Sequence, residues 1–333
     1  AQMCIRDRGQ FILTGSAVPV DSKDITHSGT GRFTWLTMRP MSLYESADST
    51  GQVSLKDLFD KPDSLEGENN LNIDKLAFLI CRGGWPHAVG MREKIALAQA
   101  EDYYEAVIKS DINRADGVSK NPERVKRLLR SLARNQGAQI ANTMLKNDIV
   151  SNDTESLNED TIASYLNALK KIFVIEDMPA WNPNLRSKTS IRSSDTRYFV
   201  DPSIAVSALG AGPQDLINDL NTMGLLFETL CVRDLRVYAE KIGGSVLHYR
   251  DKSGLECDTV IHLKNGRYGL AEIKLGGQKL IEEGAANLKA LSNKIDTSKM
   301  LAPSFLMIII GVGEFAYKRE DGIFIVPIGC LKD

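Results

Sequence analysis

The sequence has no apolar run near the roughly 20 residues that a bilayer-crossing helix needs. Its longest, Phe305 to Ile310, sits inside a strand-like stretch. Cysteine is sparse and badly placed for cross-linking: Cys4, Cys81, Cys231, Cys257 and Cys330 are odd in number, scattered and never spaced as CxxC. That argues against a disulfide framework or a structural zinc site and points to a reducing, cytoplasmic setting. Net charge is close to absent, at −2, so no global signature marks a polyanionic partner. No Gly-x-x-x-x-Gly-Lys-[Ser/Thr] loop occurs, which leaves no phosphate cradle, and no Gly-x-Ser-x-Gly elbow occurs, which leaves Ser16 without a hydrolase setting. The four histidines (His27, His87, His248, His262) lie too far apart in sequence to read as a ligand set, although His262 could line the same sheet face as Asp258. Internal repeats and low-complexity tracts are missing as well.

What is present is ordinary globular usage, with 333 residues, 43% hydrophobic and 25% charged. That is enough chain for more than one domain. Charge becomes informative locally: Ser42 to Leu76 holds eight acidic residues against three lysines, and Lys109 to Arg134 holds eight basic against three acidic. A solvated helix face is the plain explanation of the basic stretch, and contact with nucleic-acid phosphates is the sharper one. Residues 1–8 read as a non-native N-terminal remnant, because Gln10-Phe-Ile-Leu-Thr-Gly-Ser16 already resembles the middle of a domain and the chain looks truncated.

Patterning predicts a mixed α/β, multidomain chain. Phe11 to Thr14 and Phe33 to Met38 read as short buried strands, the second ended by Arg39-Pro40. After a polar, acidic segment, helices are expected over Ile73–Ile80 and Glu93–Ile112, separated by Arg82-Gly-Gly-Trp-Pro86. Asn121-Pro122-Glu123 is an N-cap with proline at the first helical position, and Val125, Leu128, Leu129, Leu132 and Ala133 continue as an apolar stripe. Helices over 139–146 and 159–171, a strand Phe173–Asp177 and a return strand Arg197–Val200 follow, three helices and then a hairpin, the order of a winged helix. A helix over Asn221–Ile242 leads into strands Ser245–Arg250, Leu255–Leu263 and Tyr268–Leu275. A helix Ile281–Lys294, a strand Phe305–Val312 and a last edge strand Phe324–Ile328 complete an α/β unit. Trp35, Trp85 and Trp181 read as core or hairpin aromatics.

The segment that carries chemistry is Glu256-Cys-Asp258-Thr followed by Glu272-Ile-Lys274, with Glu228 on the preceding helix. Period two puts Glu272 and Lys274 on one face of their strand and Ala271, Ile273 and Leu275 on the other. Lys264-Asn265-Gly266 suits a three-residue hairpin loop, which sets Asp258 opposite Glu272 and Glu256 opposite Lys274, whereas a two-residue Asn-Gly turn would set Asp258 opposite Ile273. Alternation favours the first, with Leu255, Cys257, Ile261 and Leu263 sharing the apolar face with Ala271 and Ile273. Two or three carboxylates and a lysine on one face suit magnesium-assisted phosphodiester hydrolysis: hard oxygen ligands hold the cation, and lysine orients water or offsets developing charge.

This arrangement resembles the PD-(D/E)XK nuclease superfamily, with its restriction-endonuclease-like fold. The resemblance maps Glu228, Asp258, Glu272 and Lys274 to catalytic roles, with Glu228, Asp258 and Glu272 as Mg2+ ligands. The motif's leading proline is replaced, since Glu256-Cys257 precedes Asp258. The whole chain after Gln10 resembles prokaryotic AAA-type ATPases that carry a C-terminal domain of unknown function built from a winged helix and a nuclease-like fold. Phe11-Ile-Leu-Thr-Gly-Ser16, Gly31-Arg32-Phe33, Arg39-Pro40-Met41-Ser42-Leu43, Gly83-Gly84-Trp85-Pro86, Arg130 to Asn135, Tyr198-Phe-Val-Asp201-Pro202 and Gly224-Leu-Leu-Phe-Glu228 carry that likeness.

It implies the last strands of a truncated P-loop ATPase core over 9–46, an acidic linker and helical lid over 47–118, a winged helix over 119–202 and a nuclease-like domain over 203–333. Thr14, Ser16 and Arg32 would serve ATP in the full-length protein only; without the phosphate loop this chain should not hydrolyse ATP. DNA is the implied partner, through Arg124, Arg127, Arg130 and Arg134 and through Arg186, Lys188 and Arg192 in the wing. The competing expectation is a catalytically inactive nuclease-like scaffold for protein partners in a defence, toxin or regulatory setting.

Overall fold

Period-two runs and 3.6-period stripes resolve into a seven-stranded sheet with a helical region packed at one side of it. The computed structural model describes residues 12, 14–15, 34, 36–62, 65–150, 158–183 and 194–333. Ser16, Arg32, Arg186, Lys188 and Arg192, together with Phe11, Leu13, Phe33 and Trp35 of the first two predicted strands, lie outside the described residues. Of those strands the structure describes Ile12, Thr14, Thr34, Leu36, Thr37 and Met38, which are in no strand, and Ile12, Leu36 and Met38 are exposed.

The elements in chain order are β1 (Val53–Ser54), α1 (Leu55–Asp60), β2 (Gly67–Glu68), α2 (Ile73–Arg82) and α3 (Glu93–Ala106), which continues through a π-turn at Val107–Asp111. Then come α4 (Pro122–Arg134), α5 (Asn142–Val150), α6 (Glu159–Lys171), β3 (Ile175–Met178) and β4 (Thr196–Phe199). Three further helices, α7 (Pro202–Leu209), α8 (Pro213–Asn218) and α9 (Leu220–Lys241), precede β5 (Gly244–Arg250), β6 (Glu256–Leu263) and β7 (Tyr268–Lys274). The chain finishes with α10 (Gln278–Lys294), β8 (Leu306–Ile310), β9 (Phe315–Lys318), β10 (Phe324–Pro327) and β11 (Leu331–Lys332).

Local chemistry sets the helix starts. The Asn121 side chain accepts from the Glu123 and Arg124 amides while Pro122 opens α4, and its predicted stripe of Val125, Leu128, Leu129, Leu132 and Ala133 is buried. Asn158 and Asp219 cap α6 and α9 in the same way. The expected order of three helices and a hairpin is present as α4, α5, α6 and the antiparallel pair β3–β4.

The main sheet runs β2-β9-β10-β8-β7-β6-β5. β10 and β7 both pair in parallel with β8, and the outer pairs are antiparallel. The expected last edge strand is therefore internal: Phe324, Ile325 and Val326 are buried between β8 and β9, as a continuous apolar run covered on both faces should be. Residues from α9 (Leu226, Phe227, Leu230) share a core with Ile261, Ala271, Ile273 and Met307 on one face. On the other face Ile281, Ala285, Leu288 and Leu291 of α10 pack against Val260, Leu270 and Ile308. Each fully buried aliphatic side chain contributes about 1.5–3 kcal/mol.

The acidic segment expected as a linker is built into this unit. β1 pairs in parallel with β11, β2 forms one edge of the main sheet, and Leu55, Leu58 and Phe59 are buried. The strap before it docks through polar contacts: the Leu43 amide donates to Asp234 of α9 at 2.9 Å, and the Met41 amide donates to the Gly84 carbonyl, past the end of α2, at 2.7 Å. Beneath it lies a buried cluster in which Arg233 donates to Asp234 (Nε, 2.8 Å) and Asp201 (Nη1, 2.9 Å), while Asp201 also accepts from the Gly84 amide at 2.8 Å. The Gly-Gly-Trp-Pro motif is thus a docking turn, with Trp85 packed at a tilt against Tyr103 and donating to Ser203 at 2.9 Å.

A candidate active site at the ends of strands β6 and β7

The β6–β7 turn has the three-residue loop read from the sequence. Leu263 and Arg267 close it by a 2.8 Å hydrogen bond, Gly266 has φ +86°, and Thr259 pairs with Ala271. That register carries Asp258 to the level of Glu272. Its carboxylate oxygen Oδ2 accepts from the Ile273 amide at 2.7 Å and from Lys274 Nζ at 3.2 Å. Lys274 Nζ also pairs with Glu272 Oε2 at 2.7 Å. One ammonium is therefore held between two carboxylates, as alternation along β7 and the turn together require.

One part of the alternation is corrected by the structure. On the β5 side, Leu247 pairs with Val260 but Tyr249 pairs with Cys257, so His248 faces both Asp258 and Thr259 across a β-bulge. The extra residue reverses the facing of what precedes it. Cys257 and Leu255 pack with the α10-side core, whereas Ile261, Leu263, Ala271 and Ile273 belong to the α9 side. The bulge sits at Asp258 itself, where bulges re-aim side chains at functional sites.

Glu272 is 1% exposed, and its Oε1 is a buried oxygen with no hydrogen-bond partner. Burial, and after it the negative charge of Asp258, pushes its carboxyl well above the usual range. Glu228 on α9 is shifted in the same direction by the same two causes, in the same order. Burial alone would lower the Lys274 ammonium, but the charges of Asp258 and Glu272 outweigh it and hold the group cationic. Gly284 of α10 lies over this group, and a Cβ there would stand 3.4 Å from Glu272 Cβ and 3.5 Å from Lys274 Cε.

The Glu228 carboxylate is held by residues that sequence reasoning did not nominate. Tyr198 of β4, itself fully buried, donates its hydroxyl to Glu228 Oε1 at 2.6 Å. At Gly137, just past α4, φ is +68° and a Cβ would fall 2.5 Å from the same oxygen. The signal available in the sequence was the Tyr198-Phe-Val-Asp-Pro string, whose chemistry has no pattern of its own.

The donor set fits a hard divalent cation in kind: carboxylate oxygens, one of them buried and unpartnered, repelling one another. Among the described residues no group of three or more His, Cys, Asp or Glu side chains is placed to hold a metal ion. An ion held by Asp258, Glu272 and Glu228 would require these side chains to draw together and Lys274 to yield part of its hold on Asp258 and Glu272.

The other nominated residues are dispersed. Thr14 is exposed and in no regular element. On α4, Arg130 and Arg134 are exposed and Arg124 is half-buried, whereas Arg127 donates to the Ile149 carbonyl at 2.9 Å and so caps α5. Arg134 ends α4 three residues before Gly137, whose backbone approaches Glu228. His262 stacks with Tyr268 on β6–β7, and Trp181 packs in the α10-side core with Tyr249 and Tyr268. No helix among the described residues is long and apolar enough to cross a membrane.

No curated protein and no solved structure matches the chain. Two family descriptions do match: residues 73–215 fit a domain of unknown function, DUF8612, which takes the segment on both sides of residue 118 as one unit, and residues 223–331 fit another, DUF4143, which contains Glu228, Asp258, Glu272 and Lys274.

Proposed function

We propose that the α/β unit is a metal-dependent phosphodiesterase site of the PD-(D/E)XK type acting on DNA, within a protein of the AAA-ATPase-associated class that the sequence resembles. The observation that carries this reading is the Asp258–Lys274–Glu272 cluster across the β6–β7 hairpin, with Glu272 Oε1 buried and unpartnered. A bound Mg2+ would supply Lewis-acid polarisation of the scissile phosphate. Asp258 and Glu272 would bind it, Glu228 would complete the acidic set, and Lys274 would orient the attacking water and offset charge on the phosphate in the transition state. The exposed Arg130 and Arg134 of α4 would receive the nucleic-acid backbone by phosphate contacts.

One observation favours a second reading, an inactive scaffold. Glu272 is almost fully enclosed and α10 lies close over it, so a phosphate must displace something to reach it. The deciding experiment is Mn2+- and Mg2+-dependent cleavage of DNA by the wild type, Asp258→Ala and Lys274→Ala. The nuclease reading expects losses of about 100-fold or more in both variants. Equal cleavage by all three proteins removes the site assignment, and no cleavage by the wild type leaves the scaffold.

A further inference from the structure

Tyr198 lies outside the α/β unit that carries the cluster, on the hairpin of the preceding region, yet it makes a 2.6 Å hydrogen bond to Glu228. The joint around that bond is built from both sides. Gln136 is buried, and its Oε1 accepts from the Phe199 amide at 3.0 Å and from the Thr229 hydroxyl at 3.2 Å, while its Nε2 donates to Leu132. Gly137 follows it, donates its amide to the Arg197 carbonyl at 3.2 Å and brings bare backbone against the Glu228 carboxylate. Arg236, one helix face along α9, sits 5.9 Å from the Tyr198 ring. The phenol is thus fixed by packing below, by backbone on one side and by a cation over its ring. The Asp258 charge pushes the Glu228 carboxyl up, and the contacts that fix its place are the Tyr198 hydroxyl and the Gly137 backbone.

We infer that Tyr198 is a positioning residue: its hydroxyl, with the Gly137 backbone, holds the Glu228 carboxylate beside Asp258, so that the divalent-cation site is completed across the joint between the helical region and the α/β unit. This rests on the nuclease-like reading of the cluster. A hydrogen-bond donor behind a metal-binding carboxylate is worth about 10–100-fold in metal affinity, and here the donor comes from a different part of the chain from every ligand it serves. Cation affinity then depends on how the helical region is seated, and any partner that moves β3–β4 also moves Glu228.

The test is Mn2+ binding followed by electron paramagnetic resonance of the free ion, which needs no turnover. Wild type, Tyr198→Phe, Glu228→Gln, Asp258→Asn and the double variant Tyr198→Phe/Glu228→Gln are compared, with Phe199→Leu as a buried neighbour that does not touch Glu228. The expected result is a Kd about 10-fold weaker in Tyr198→Phe, no further loss when Tyr198→Phe is added to Glu228→Gln, and an unchanged Kd in Phe199→Leu. A Kd unchanged in Tyr198→Phe but weakened in Asp258→Asn overturns the role of Tyr198 alone. A tighter Kd in Tyr198→Phe also overturns it, since the phenol would then be withholding Glu228. A Kd unaffected by Asp258→Asn overturns the cation site itself, and with it both readings.

Discussion

Replacing Arg233 by methionine tests whether the buried cluster under the strap is a structural lock. Arg233 is 2% exposed, and Asp201 and Asp234 are fully buried. Methionine keeps the apolar volume of the stem but deletes charge-assisted hydrogen bonds of 2.8 and 2.9 Å to the two carboxylates. Each such bond is worth about 1.5–3 kcal/mol, and breaking a buried ion pair from one side costs about 3–5 kcal/mol because the remaining charges lose their partner. Part of that is offset. Asp201 keeps the amides of Gly84 and Ser203 and the Ser203 hydroxyl, and Asp234 keeps the Leu43 amide. The expected loss is therefore near the lower end, about 3 kcal/mol.

Urea unfolding followed by tryptophan fluorescence reads the total, and hydrogen exchange at the Leu43 amide reads the strap. Both should weaken together. Adding Asp201→Asn and Asp234→Asn should restore part of the stability, because no buried ion is then left alone. A midpoint shift worth under about 1 kcal/mol, or an unchanged Leu43 protection factor, would refute the argument.

Two further outcomes follow from the same chemistry. Burial, and after it the charge of Asp258, holds the Glu228 and Glu272 carboxyls well above the usual carboxylate range in the folded, cation-free protein, so above the ordinary carboxyl value the folded state binds more protons than the unfolded one. Stability should fall as pH rises from about 5 to 8, by at most about 1.4 kcal/mol per pH unit for each carboxyl; a thermal-melt profile with no such fall in the absence of divalent cations, or the same fall in Glu228→Gln/Glu272→Gln, counts against the buried-acid assignment. Cys81 and Cys330 are raised by burial to about 12, and Cys231 and Cys257 are pushed up by the same cause. In a Cys4→Ser background, Ellman's reagent should find no fast-reacting thiol until denaturant is added, and a thiol titrating within seconds in the native protein would contradict their enclosure.

Much of the site was legible because it is local. Turn chemistry at Lys264-Asn265-Gly266 and alternation along β7 were enough to bring Asp258, Glu272 and Lys274 to one place. The bulge at Asp258 was not legible, since a bulge is defined by the partner strand: nothing in Leu255-Glu-Cys-Asp says that His248 will face two residues. The same limit hid the position of β10. Its apolar run fits an internal strand as well as an edge, and only its pairing with β8 and β9 decides. Helix α4 was readable from cap to stripe, while the role of Gly137 beyond its end depends on Glu228, ninety-one positions later. Acidic composition disguised the segment before α2, because a few buried side chains (Leu55, Leu58, Phe59) anchor it while the charges stay outside.

The pairing of β1 with β11 has a consequence for how the protein is made. Val53 pairs with Leu331, and the Ser54 hydroxyl donates to the Asp333 carbonyl across 279 positions of sequence. During synthesis, then, this segment emerges with bare backbone donors and acceptors and must wait until almost the whole described chain has left the ribosome before its partner strand exists. Closing so distant a contact is slow, and the waiting edge is a natural place for a chaperone to bind or for misassembly to begin.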